Sequence, residues 1–199
     1  MRGSDWPVTL ACGAVLLGCA SPQERLYTLS GPQPPATVAP ATLHVLVGPV
    51  TIPEALDRPQ LVIRRSSVRL VALEQERWAE PLREGILRVL SDAITTKLPN
   101  VSATSFATAA DARWDMRLFV DVTRFEVIPG ERVVIEAYWR LQVAADKRAL
   151  DGRSVIVKAV HGGPEDYDAI VAAQAAGLTE VGAELSQVIA KEAAGFTTP

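Results

Sequence analysis

Over residues 114–143, apolar side chains fall on every second position. Trp114, Met116, Leu118, Val120 and Val122 alternate with Asp115, Arg117 and Asp121, and after Thr123 the parity switches to Phe125 and Val127. Beyond Pro129-Gly130 the same alternation resumes with Val133, Ile135, Ala137, Trp139, Leu141 and Val143. A period of two turns one side of an extended chain to a core and the other to water, which a helix cannot do. The switch at Thr123 predicts a β-bulge, since an extra residue there restores the buried side. Asp151-Gly152 introduces a third strand over 154–161, completing an antiparallel meander.

The flanking segments have other periods. Residues 43–50, closed by Gly48-Pro49, read as a strand, as do 61–65 and 68–73 on either side of Ser66-Ser67. Over 79–98, Leu82, Ile86, Leu90, Ala93, Ile94 and Leu98 share one helical face. Pro81 fits its first turn, Glu80 and Glu84 suit the positive end of its dipole, and Pro99-Asn100 stops it. A second helix is predicted over 164–194, with Glu165, Asp166 and Asp168 at its start. The sum is an α/β domain, a mixed β-sheet covered by two main helices.

Ahead of this lies an uncharged run over 8–18, VTLACGAVLLG, too short to cross a bilayer and right for the apolar stretch of a secretory signal. It ends in Leu16-Leu17-Gly18-Cys19-Ala20-Ser21, which resembles the bacterial lipobox. The resemblance implies cleavage before Cys19, acylation of Cys19 by diacylglycerol and an N-acyl chain, and, with Ala20 next, sorting to the outer membrane. Two or more chains give stable anchoring. The organisation expected is a signal over 1–18, a lipidated Pro-rich tether over 19–42 and one α/β domain over 43–199. Pro32, Pro34, Pro35 and Pro40 favour an extended tether, holding the body tens of ångströms from the bilayer at about 3.1 Å per residue. Within it, Leu26 to Leu29 has the character of an edge strand.

Composition excludes several functions. The 199 residues carry 20 basic and 23 acidic side chains, a net charge of −3, so no nucleic-acid partner is expected. Two histidines and two cysteines, with Cys12 lost in the signal and Cys19 acylated, leave no metal site. His161-Gly162-Gly163 is similar to an oxyanion loop, but no G-x-S-x-G accompanies it, and His44 sits alone in a strand. Glu74 and Glu76 read as solvated surface at a strand end, and Arg64, Arg65 and Arg69 as a small surface basic cluster. No catalytic residue is assigned, and the only attached group expected is the lipid on Cys19.

Two stretches exceed what a generic core requires: VGPVTIPEALDRPQLVIRR over 47–65 and RWAEPL over 77–82. Gly48-Pro49-Val50, Pro53, Leu56-Asp57-Arg58-Pro59 and Arg77-Trp78-Ala79-Glu80-Pro81-Leu82, followed by an amphipathic helix and preceded by Tyr27-Thr28-Leu29, resemble the ABC-type transport auxiliary lipoproteins, the PqiC/YmbA-like family. The resemblance implies an architecture similar to the TolB N-terminal or anticodon-binding type. It also implies a non-catalytic subunit of an intermembrane lipid transport system. Its partners would be a periplasmic MCE-domain protein and an inner-membrane component, with outer-membrane lipid met through the anchor. A homo-oligomer is compatible with such partners.

The residues expected to meet a partner are Pro53, Leu56, Asp57, Arg58, Pro59 and Trp78. Two prolines stiffen the loop, Leu56 would be an exposed apolar anchor, Asp57 and Arg58 a charged pair, and Trp78 a large contact residue. The competing reading of Trp78 is a cap on the core, and of Asp57-Arg58 an internal lock. The alternative function is a lipid carrier with an acyl-chain cavity between sheet and helices.

Overall fold

The computed structural model describes residues 23–34, 40–105 and 113–195. The signal segment and Cys19 lie outside the described residues. The elements run β1 (Arg25–Tyr27), β2 (Leu43–Thr51), a 3-10 turn (Glu54–Leu56), β3 (Gln60–Ser66), β4 (Arg69–Trp78), α1 (Leu82–Lys97), β5 (Val101–Ser105), β6 (Met116–Ile128), β7 (Arg132–Val143), β8 (Ala149–Ala159) and α2 (Tyr167–Ala194).

The strands form two sheets, where sequence periodicity suggested one. Five strands lie in the order β5-β2-β6-β7-β8, and three in the order β1-β4-β3. In the larger sheet β2 is parallel to both β5 and β6, while β6, β7 and β8 form the expected antiparallel meander. The register of β6 against β7 shifts between Val122 and Arg124, the bulge that the parity switch at Thr123 demands. Pro129 and Gly130 turn the chain, with Gly130 at φ +71°, a conformation that glycine adopts without strain. In the smaller sheet β3 and β4 form a hairpin and β1 lies parallel to the far edge of β4.

Both helices pack together and against the larger sheet. α1 buries Leu82, Ile86, Val89, Leu90, Ala93 and Ile94. Pro81 is its N-cap, one place outside the expected first turn. α2 begins on Asp166, whose side chain accepts from the Ala169 amide at 3.0 Å. Its glycines set the spacing of the layers. A Cβ on Gly182 would lie 2.5 Å from that of Ala93, and one on Gly177 would lie 2.7 Å from Ile135 Cδ1. Larger residues there would push α2 off α1 and off the sheet.

The packed body begins earlier than residue 43. Tyr27 is 9% and Leu29 1% exposed, and both join the same core cluster as Trp78, Ile86, Leu118 and Leu178. The expected tether over 19–42 is corrected accordingly: its described part from Arg25 to Gly31 is built into the body. A Cβ on Gly85 would meet Leu29 at 3.4 Å, and one on Gly31 would stand 3.2 Å from Val89.

Candidate functional site

The two singled-out stretches meet at one corner. After β2, Pro53 opens the 3-10 turn, closed by the Leu56 amide donating to the Pro53 carbonyl (2.9 Å) and the Asp57 amide to that of Glu54 (3.1 Å). The Arg58 amide donates back to the Leu56 carbonyl at 2.9 Å. The Trp78 amide then donates to the Pro59 carbonyl at 2.7 Å, tying the loop to the end of β4. Every turn of this loop is therefore held by backbone, which makes it rigid at little entropic cost to a binding partner.

Two expectations about its side chains fail. Leu56 is only 9% exposed and joins the core, because the 3-10 turn rotates it inward; it is not an exposed anchor. Asp57 pairs with Arg83 in the first turn of α1, at 3.1 Å, rather than with its neighbour. Adjacent residues on a tight turn diverge, whereas α1 brings Arg83 back alongside. Arg58 is left exposed with no ion pair among the described residues.

Trp78 is 8% exposed and packs into the core, the capping role weighed for it from sequence. Its rim still lines a cleft of about 400 Å³ with Asp57, Arg58, Pro59, Pro81 and Arg83. Glu80 and Leu82 also line it, so apolar and charged side chains alternate around the cleft, and Pro53 lies outside it in a smaller hollow with Leu56. Sequence reasoning missed Arg83. Its spacing from Pro81, in the first turn of a helix that must lie beside the loop, was the available signal.

The second wall of the site is the N-terminal segment. The Ala79 amide donates to the Tyr27 carbonyl at 2.8 Å, and Thr28 Oγ1 donates to Glu80 at 3.2 Å. Arg88 closes on Glu80 and also donates to Thr28 at 3.1 Å. Glu76, expected on the surface, is a buried carboxylate at 4% exposure. It accepts from Tyr27 Oη at 2.7 Å and from Arg25 Nε at 3.0 Å, which is why burial is tolerated. Burial, with the Glu76 carboxylate next to it, pushes the Tyr27 phenol up to about 12.

His44 and His161 are both exposed, and among the described residues no three metal-ligating side chains cluster. Arg64 is half-buried and held by Glu126 at 2.7 Å, while Arg65 and Arg69 are exposed. Between sheet and helices the space is filled by Ile86, Leu90, Met116, Ile135 and Leu178. The larger hollows are superficial: about 600 Å³ between residues 26–32 and α2, and about 660 Å³ by Phe119, Tyr138 and Arg140 on the sheet face away from the helices. No described helix is long and apolar enough to cross a membrane.

Comparison with known proteins gives a consistent picture. The family model described as ABC-type transport auxiliary lipoprotein component matches residues 27–186. The intermembrane transport lipoprotein PqiC of Escherichia coli (strain K12) is 29% identical over 144 residues, covering 68% of this chain and 73% of that protein, and PqiC of Shigella flexneri matches equally. Among solved structures, protein XCC0632 from Xanthomonas campestris has a TM-score of 0.66 at 20% identity, covering 87% of this chain and 100% of the other. The crystal structure of an uncharacterized protein has a TM-score of 0.71 at 20% identity, covering 84% and 99%. These two share the fold.

Proposed function

Because the chain belongs to the ABC-type transport auxiliary lipoprotein family, we propose that it is a non-catalytic subunit of an intermembrane lipid transport system, anchored to the outer membrane through acylated Cys19. It works by contact. The observation that carries this reading is the backbone-braced loop 53–59, locked to α1 through Asp57 and Arg83, with Arg58 presented beside an apolar cleft. A braced cleft lined by both apolar and charged side chains suits a protein partner, and a periplasmic MCE-domain protein is the partner proposed. The carrier reading is less well served, since large buried side chains occupy the layer where an acyl chain would lie.

The test is site-specific photo-crosslinking from position 58 in intact envelopes. An MCE-domain protein in the adduct, lost when Cys19→Ser releases the protein from the membrane, supports the reading. An adduct with phospholipid alone would favour the carrier, and adducts with unrelated proteins would overturn docking at this cleft.

A further inference from the structure

The Pro-rich stretch looks like a spacer in series with the anchor, yet the fold takes it out of that path. Upstream of it, β1 is laddered to β4, with Arg25 opposite Glu76 and Tyr27 opposite Trp78. Glu24 is paired with Arg77 at 2.7 Å, Leu29 is 1% exposed, and a Cβ on Gly31 would stand only 3.2 Å from Val89. Downstream, the Thr42 amide donates to the Asn100 carbonyl at 2.9 Å, where β2 begins. Both ends of the stretch are therefore fixed to the body, so its length adds nothing to the reach of the anchor. What remains in series is the chain from Cys19 to Arg25. Six residue steps span at most about 20 Å fully extended, against about 75 Å had the whole segment to Leu43 been free.

We infer that the anchored body rests at the bilayer surface, with the β1 edge and the start of α2 turned toward the lipid headgroups. This rests on acylation of Cys19 as proposed above. Arg25, the first residue of β1, lies 5.6 Å over the ring of Tyr167, the first residue of α2, so those two elements share the tethered pole. Leu26 beside them is 65% exposed and borders the hollow against α2. The 28 residues of α2 then carry its far end about 40 Å from that pole. The cleft of Trp78 and Arg83 is on the near side, because Trp78 pairs with Tyr27 two residues from Arg25. A partner reaching it must come within about 30 Å of the acyl chains, given the spacing of paired strands.

The experiment uses the acylated protein in vesicles of phosphatidylethanolamine and phosphatidylglycerol carrying an acceptor-labelled lipid, with a donor on L26C or K191C. Chain 20–199 has no native thiol to compete. Energy transfer should be higher from position 26 than from 191. Twenty Gly/Ser residues inserted after Ser21 should lower transfer from position 26 about twofold, since such a linker adds roughly 25 Å. The same insertion after Ala36 should leave it unchanged. Equal transfer from 26 and 191, a fall with the second insertion, or no fall with the first overturns the inference. Hydrogen exchange on unacylated Cys19→Ser protein separates the two readings. A protected Ala79 amide with Cys19 found unmodified in cells sinks the lipoprotein reading. An Ala79 amide exchanging at the rate of an unfolded chain sinks the docking of β1 on β4 while leaving acylation intact.

Discussion

The phenol of Tyr27 donates to a Glu76 carboxylate that is nearly sealed from solvent, with Arg25 on the other oxygen. One acid thus receives two residues of a three-residue strand, which gives so short a strand a fixed seat at the edge of β4. Loss of the Tyr27 hydroxyl removes a charge-assisted bond inside the core, and Tyr27→Phe should cost about 1.5–3 kcal/mol in urea denaturation. An unchanged midpoint would show that Glu76 is satisfied by Arg25 alone.

The same pair sets an alkaline limit. The phenol ionises near 10 in the unfolded chain but only at about 12 in the folded one. Above pH 10 the unfolded state therefore binds fewer protons than the native state, and stability falls until the folded phenol also ionises. The contribution is complete below pH 10 and lost toward pH 12. Stability curves measured over that window should decline more steeply for the native protein than for Tyr27→Phe. Parallel curves would place the ionisation elsewhere.

The docking of β1 on β4 also shows where sequence reasoning stops. The edge-strand character of Leu26 to Leu29 was legible from its composition, but nothing local shows that a parallel partner lies fifty residues on. Polar Glu74, Gln75, Glu76 and Arg77 hid the second half of β4, because a buried Glu breaks the apolar pattern unless its partners are known. β5, VSATS, has one large apolar residue and pairs through a single neighbour, β2, so it carries almost no periodic signal. The bulge at Thr123, by contrast, was readable, since a reversal of parity on a half-buried strand has few other solutions. At the candidate site the motif residues do converge. Loop rigidity was foreseen from the prolines, while the inward turn of Leu56 and the pairing of Asp57 with Arg83 depend on where α1 lies.

Stability and docking should separate at that site. Trp78→Ala empties a large core position and should cost about 3–5 kcal/mol, so loss of partner binding in that variant is uninformative. The Asp57–Arg83 pair is partly exposed, and such pairs contribute under about 1 kcal/mol. Arg58→Ala and Asp57→Ala should therefore melt within a few degrees of the native protein while reducing crosslinking to the partner severalfold. Native-level crosslinking in both would remove the charged rim from the interface.

A tight cross-strand contact predicts the effect of a single methyl. Gly152 of β8 faces Trp139 of β7, and a Cβ there would sit 2.0 Å from the indole. No real side chain fits, so Gly152→Ala must expel the ring. Overpacking of this kind costs about 1–3 kcal/mol. Urea denaturation should show that loss, with the folded-state tryptophan emission shifted to longer wavelength. A native midpoint would mean that the indole has a second rotamer at no cost.

At the acid end the informative group is Glu126 on β6. Burial pushes its carboxyl up, but hydrogen bonds from Arg124 and Arg64, at 2.9 and 2.7 Å, outweigh this and hold it below the usual carboxylate range. A depressed folded value means that the unfolded chain takes up the proton first as pH falls. Stability from Glu126 is thus present above the unfolded carboxyl value near 4.3 and is lost as pH drops through the folded one. Glu126→Gln removes that linkage and leaves two arginines without their acid. The variant should be less stable at pH 7, and the gap should close as the pH falls below the unfolded carboxyl value and Glu126 takes up its proton, since a protonated Glu126 and a glutamine are alike in charge. Because Arg64 lies on β3 and Glu126 on β6, the same measurement reports whether the contact between the two sheets is electrostatic. A gap that persists unchanged into acid would assign it to packing by Leu61, Ile63 and Phe125 instead.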